Sequence, residues 1–323
     1  MSESLAPEAV RLAAERLRGA AHRTPVFSSR TLDARLSASV FCKGEHLQRT
    51  GSFKFRGAWN ALQSLSADEC RRGVITYSSG NHAAALAAAG SQLGIRVVVA
   101  LPDNALPLKR EAVIGYGAEI VPCSANERET VGRRVAAERG LVVIPPYDDD
   151  RIIAGQGTAA LELMEEVGEL DLLLAPTGGG GLLSGTALAA QVLELERGHR
   201  TQVWGVEPEI ANDAQRSLRT GAIVHLEDTP MTIADGLRTR YLGERTFAVI
   251  RRHVEGIVTV SEEEIVDAVR WLWLRMKLVV EPSGAVPLAA LLAGRFDLKG
   301  RRVGVILSGG NADPAALAPY FPA

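Results

Sequence analysis

The sequence predicts an α/β fold of two doubly wound parallel-sheet domains. Three observations predict it. Short apolar runs alternate with longer helical stretches, glycines close several of those helices, and glycine-rich loops follow three of the strand-like runs.

The opening "MSESLAPEAVRLAAERLRGA" reads as an amphipathic helix. It carries charges throughout and lacks an apolar core of the kind a secretory signal needs. "VITY" (74–77) is the first clear strand, followed by a helix over "NHAAALAAAGSQLG". Strands "RVVVAL" (96–101), "AEIVPC" (118–123) and "LVVIPP" (141–146) follow, separated by helices near "PLKREAVIGYG" and "ERETVGRRVAAERG". Gly94, Gly117 and Gly140 stand where those helices should stop. The run "DDD" near 148–152 interrupts the pattern and marks a boundary between two units. The alternation resumes with a helix over 155–167, strand "DLLLA" (171–175), a helix over 182–197 and strand "QVWGVE" (202–207). Strand "GIVTV" (256–260) precedes a helix over "SEEEIVDAVRWLWLRMKLVV", where Ser261 and Glu264 form a capping box. A small-residue helix near 284–293 and strand "RVGVIL" (302–307) complete the series.

Composition limits the function. The 323 residues are 46% hydrophobic and 23% charged, which suits a folded globular chain with a sizeable core. A net charge of −2, with both signs interspersed, gives no basic field for nucleic acid. No run of apolar residues is long enough for a membrane span. Cys42, Cys70 and Cys123 lack CxxC spacing, which fits reduced thiols in the cytoplasm better than disulfides or zinc.

Ligands of open α/β sheets bind beyond the carboxyl ends of the strands, and three loops fall there. "TGGGG" (177–181) is suited to an anion, since four glycines free the backbone N–H groups at a helix start. It matches neither the Walker pattern nor GxGxxG, because Ser184 stands where the third glycine belongs. Glu207 could still imitate a ribose-binding acid, which leaves an NAD-dependent oxidoreductase as a remote alternative. "SSGNHA" (78–83) offers hydroxyls, an amide and N–H groups suited to a carboxylate, and "SGGN" (308–311) places Ser308 at a strand end. Upstream, Lys54 lies between Phe53 and Phe55 in "TGSFKFRGA". Apolar neighbours make an ammonium costly and turn a lysine into a nucleophile or Schiff-base partner.

"TGSFKFRGA", "SSGNHA", "IAGQGT", "GGGGLLSG", "TIADGLRT", "EPSGA" and "LSGGN" occur in this order over about residues 20 to 315. Together they resemble the serine/threonine dehydratase and serine racemase family of fold type II pyridoxal-phosphate enzymes, with a tryptophan synthase β-like architecture. The resemblance implies that Lys54 holds pyridoxal 5'-phosphate covalently and that Gly178, Gly179, Gly180 and Gly181 bind its phosphate. Phe53 would lie against the ring, Asn81 would bond the ring hydroxyl, and Ser308 the pyridine nitrogen. Ser78, Asn81 and His82 would surround the substrate carboxylate, with Arg128 and Thr239 near the substrate. Glu207, the backbone of Ala211, and Asp213 match the family's divalent-cation site, for Mg2+ or Ca2+. Residues 1–50 with 148–323 are expected to form a large cofactor-binding domain. Residues 51–147 would form a small mobile domain carrying Lys54 and the SSGNH loop.

A neutral hydroxyl at Ser308 suits β-elimination better than transamination. The expected activity is dehydration of a β-hydroxy amino acid such as L-threonine or L-serine to a 2-oxo acid and ammonia, with Lys54 as base. The alternative is a serine racemase or a 3-hydroxyaspartate dehydratase. Ser79 stands where many threonine dehydratases of the family carry Ala, and a second base there would permit inversion at Cα. Two departures from the family pattern are "AALAAAG" after "SSGNH" and Arg240 after "TIADGLRT". A homodimer, an amino-acid substrate and no regulatory domain after "PYFPA" complete the expectation.

Overall fold

The computed structural model describes residues 5–78, 80–103, 105 and 107–321, without the side chains of 107–109. Its strands are β1 (Val26–Phe27), β2 (Ser39–Gly44), β3 (Val74–Tyr77), β4 (Val97–Pro102), β5 (Glu119–Cys123), β6 (Val142–Val143), β7 (Leu172–Pro176), β8 (Gln202–Pro208), β9 (Gly256–Val260) and β10 (Arg302–Leu307). They form two sheets, a six-stranded one in the order β1-β2-β10-β7-β8-β9 and a four-stranded one in the order β5-β4-β3-β6. Every pairing is parallel except β1 with β2.

Strand alternation explains why both sheets need helices on both faces. Leu172 and Leu174 enter one buried cluster with Val40, Val206, Val303 and Val305, while Leu173 and Ala175 enter another with Leu183, Val203 and Ile306. In the smaller sheet Val97 and Val99 face Phe55 and Leu86, whereas Ile75 and Val98 face Val135 and Ala136. Strands apolar on both sides are the signature of a doubly wound sheet.

All eight expected strands are present. The sequence missed β1 and β2. β1 is two residues long, and β2 carries Lys43 in the protein interior, fully buried and paired with Glu162 at 2.8 Å. Of "DDD", Asp148 and Asp149 lie before helix Asp150–Val167 and Asp150 begins it. Asp149 caps helix Asp150–Val167 by accepting from the Arg151 N–H at 2.8 Å. The helix expected to run to Val280 has its capping box, but spans Glu262–Trp271. It ends in a π-turn over Leu272–Met276, closed by Lys277 in the left-handed region at φ 62°.

"IAGQGT" works through close helix crossings. A Cβ on Gly155 would lie 2.6 Å from the Gly57 Cα, and one on Gly157 would lie 2.5 Å from the Gly185 carbonyl oxygen. Helix Asp150–Val167 therefore touches helices Lys54–Gln63 and Gly181–Arg197 backbone to backbone. Among the described residues no helix is long and apolar enough to cross a membrane.

Candidate active site

The three glycine-rich loops lie at the carboxyl ends of β3, β7 and β10, and hydrogen bonds link two of them with the segment just before Lys54. Lys54 is the first residue of helix Lys54–Gln63. Just before it, Ser52 bridges to Gly309, and the Phe53 N–H donates to the Ser308 carbonyl at 3.0 Å. The Gly310 N–H donates to the Gly51 carbonyl at 2.9 Å. The Asn311 amide donates to Thr50 O at 2.8 Å and to Asn81 Oδ1 at 2.9 Å, and Asn81 Nδ2 donates to Glu281 Oε1 at 2.8 Å. Residues 50–53, just before Lys54, are thus bonded to Ser308, Gly310 and Asn311, and Asn311 to Asn81, with Ser308 buried.

Lys54 Nζ lies 5.1 Å from the centre of the Phe53 ring and donates to the Pro146 carbonyl at 2.7 Å. Burial lowers its pKa to about 8, although the nearby Glu281 carboxylate pulls the other way. The neutral amine is therefore accessible close to physiological pH. His82 is buried and its Nε2 faces the Ile144 carbonyl at 3.2 Å. Burial and the Lys54 charge push it down to about 3, so it is a neutral group here. Ser78 Oγ accepts from the Gly80 N–H at 3.3 Å. Ser79 lies outside the described residues.

The tetraglycine loop is built for close approach. Gly180 has φ 91° and caps helix Gly181–Arg197. A Cβ on Gly179 would lie 2.4 Å from the Tyr147 ring, and one on Gly178 would lie 3.3 Å from Thr239 Oγ1. Thr239 Oγ1 is buried and has no hydrogen-bond partner. A glycine cradle at a helix start, an unpartnered hydroxyl beside it and an amine of lowered pKa fit a phosphorylated aldehyde.

The structure brings Phe53, Lys54, Asn81, His82 and Ser308 together, and places Thr239 on the glycine loop. Arg128 opens helix Arg128–Arg139, half-buried and without an ion pair among the described residues. The next residue, Glu129, accepts from the Tyr241 hydroxyl at 3.2 Å and pairs with Arg133 at 2.9 Å, and Arg133 reaches the Tyr77 hydroxyl at 3.4 Å. Arg240 is exposed and donates to the Leu226 carbonyl at 2.9 Å. Glu207 and Asp213 are both buried, and Ala211 is buried between them in the chain. Glu207 accepts from the N–H groups of Ala214 and Gln215, at 3.2 and 2.7 Å.

Sequence reasoning missed segment 144–149. Its carbonyls meet His82 and Lys54, Tyr147 covers Gly179, and Asp148 accepts from the N–H groups of Arg245 and Thr246 at 2.9 and 3.2 Å. The available signal was the three aspartates, which are helix-capping residues as well as turn formers.

Two mostly parallel sheets, a part-buried lysine and a glycine-rich loop at a helix start suit a cofactor enzyme of the α/β class. Residues 17–309 match the model of the family described as "Pyridoxal-phosphate dependent enzyme", and the chain belongs to that family. This sets aside the dinucleotide alternative. The chain is 50% identical over 303 residues to the L-threo-3-hydroxyaspartate ammonia-lyase of Saccharomyces cerevisiae, covering 93% of this chain and 91% of the relative. It is 47% identical over 311 residues to the serine racemase of Schizosaccharomyces pombe, covering 96% and 95%. The crystal structure of the T.th. threonine deaminase superposes with a TM-score of 0.89 at 45% identity, covering 95% of this chain and 99% of that one.

Proposed function

We propose that the chain is an ammonia-lyase that converts L-threo-3-hydroxyaspartate to a 2-oxo dicarboxylate and ammonia. The observation that carries the reading is the Lys54 amine, held at 2.7 Å on the Pro146 carbonyl with its pKa lowered to about 8. The 50% identity to the yeast hydroxyaspartate enzyme favours this substrate over L-threonine or L-serine. Arg128, a cation without an ion pair among the described residues, supplies a partner for the second carboxylate.

Pyridoxal phosphate, when bound, supplies the electron sink that acidifies the substrate Cα–H. Gly178 to Gly181 would hold the phosphate, Lys54 the aldehyde carbon, Asn81 the ring hydroxyl and Ser308 the ring nitrogen, with Phe53 beside the ring. With its amine free, Lys54 would accept the Cα proton. The β-hydroxyl leaves with a proton as water, and hydrolysis of the released product then consumes water and gives the 2-oxo acid and ammonia. Ser78 and the first backbone N–H groups of helix Asn81–Leu93 orient the substrate carboxylate.

A divalent cation belongs to the same proposal. Among the described residues no three His, Cys, Asp or Glu side chains gather, so Glu207 and Asp213 would act with the Ala211 carbonyl and water. Their environment suits a cation. Asp213 Oδ2 is buried without a partner, and burial raises Asp213 to about 7 and Glu207 well above its usual range. The division into residues 1–50 with 148–323 and 51–147, the homodimer and the cytoplasmic location remain parts of the proposal.

A second reading, amino-acid racemase, is favoured by the 47% identity to the fission-yeast serine racemase. One assay separates the readings. Purified enzyme with pyridoxal phosphate and Mg2+ is given L-threo-3-hydroxyaspartate, L-serine or L-threonine. Release of 2-oxo acid and chirality of the residual amino acid are measured. The expected result is a kcat/KM for hydroxyaspartate at least about tenfold above the others, corresponding to about 1.4 kcal/mol, and none with Lys54→Ala. Faster turnover of serine or threonine would overturn the substrate. D-amino acid without oxo acid would establish the racemase.

A further inference from the structure

The segment linking β6 to helix Asp150–Val167 touches His82, Lys54 and the glycine loop. Its Ile144 carbonyl meets His82 Nε2, and its Pro146 carbonyl takes the Lys54 amine. Tyr147 then turns its ring onto the glycine loop. The place a Gly179 Cβ would occupy is 2.4 Å from ring atoms Cγ and Cδ1, and that of Gly181 is 3.1 Å from Tyr147 Cβ. Only a glycine at 179 leaves room for this ring, and at 181 a Cβ would be tight against Tyr147 Cβ.

The contact is closed from a third side. The Gly179 carbonyl accepts from Thr246 Oγ1 at 2.8 Å, and the Asp148 carboxylate accepts from the Thr246 N–H at 3.2 Å. The glycine loop, the 144–149 segment and the start of helix Glu244–His253 therefore form a ring of contacts.

We propose that Tyr147 is a positioning residue. Its ring keys into the glycine loop and so fixes the Pro146 carbonyl that aligns the Lys54 nitrogen, coupling the phosphate cradle to the base. A backbone carbonyl suits this task because it accepts an N–H from the amine or the ammonium alike, leaving the nitrogen lone pair of the amine directed elsewhere. The ring does this work, and the hydroxyl does not.

The inference rests on the reading of Lys54 as the reactive amine, so its test reads that amine without turnover. Cofactor-free protein is treated with pyridoxal, which has the aldehyde but no phosphate. The Lys54 amine condenses with the aldehyde and loses water, and borohydride hydride then reduces the C=N bond to a stable amine. The trapping rate is followed against pH. The charged and titratable groups facing Lys54 are Glu281 and His82, and neither is altered. Pyridoxal-phosphate affinity is measured by absorbance.

In the native protein the midpoint of trapping is expected near 8. Tyr147→Phe should match the native protein within about twofold in both readouts. Tyr147→Ala should bind pyridoxal phosphate about tenfold more weakly, and its midpoint should rise toward that of an ordinary lysine near 10.4. Should Tyr147→Ala not fold, Asp148→Asn relaxes the same segment from its other side and should raise the midpoint less. An unchanged midpoint in the folded variant overturns the proposal, as does a Tyr147→Phe protein as impaired as Tyr147→Ala. Hydroxyaspartate inertness with normal trapping would remove the substrate assignment alone. Failure of native Lys54 to trap pyridoxal would remove the lysine assignment and this inference with it.

Discussion

Single residues set the character of the site. Gly179 faces the Tyr147 ring so closely that any side chain collides with it. Gly179→Ala should leave the fold intact but push Tyr147 or the loop aside, at a cost of about 1–3 kcal/mol. The expected outcome is at least tenfold weaker pyridoxal-phosphate binding, read by absorbance titration, with little change in the far-ultraviolet circular dichroism. Lys54, Asn81, Ser308 and the four glycines were legible as candidates because each sits in a distinctive motif, and the structure brings Lys54, Asn81 and Ser308 together. Tyr147 and Glu281 were not as legible in their roles. An aromatic after two prolines and a glutamate before a proline have many ordinary uses, and only the fold shows that one lies on Gly179 and the other on Asn81.

At the scale of elements, helix Lys54–Gln63 is anchored by an ion cluster two residues beyond the lysine. The Arg56 guanidinium is fully buried and donates to Glu45 at 2.7 and 2.8 Å and to Glu162 at 2.8 Å, with Lys43 also on Glu162. Arg56→Met would leave the buried Glu45 carboxylate without its counter-charge, a loss of about 3–5 kcal/mol. Urea unfolding should show this loss, and adding Glu45→Gln should restore part of it. Arg56→Lys should also destabilise, because an ammonium cannot reproduce two forked pairs. Periodicity revealed most elements, but not β2, since the lysine near its end reads as exposed until its partner on helix Asp150–Val167 is known. The bonds from residues 51–57 to residues 308–310 and 45 likewise cross the boundary expected at residue 51.

Across the whole molecule, parallel topology lets one end of each sheet gather loops distant in sequence. The same topology puts Glu207 near the end of β8 and Asp213 at the start of the helix that follows the next turn. Mg2+ or Ca2+ bound there should stabilise the fold by about 2.7 kcal/mol at a hundredfold excess over Kd. A chelator should lower Tm, the cation should restore it, and Asp213→Asn should be insensitive to both. The α/β class was legible from the alternation of runs, whereas the strand order was not. β10, the last strand in the chain, lies between β2 and β7 in the middle of its sheet. During synthesis on the ribosome, β2 and β7 must therefore wait with open edges until residues 302–307 emerge. The four-stranded sheet has all its strands by residue 143. The smaller sheet can thus assemble early, while Ser308, and with it the finished site, follows only after β10 has emerged.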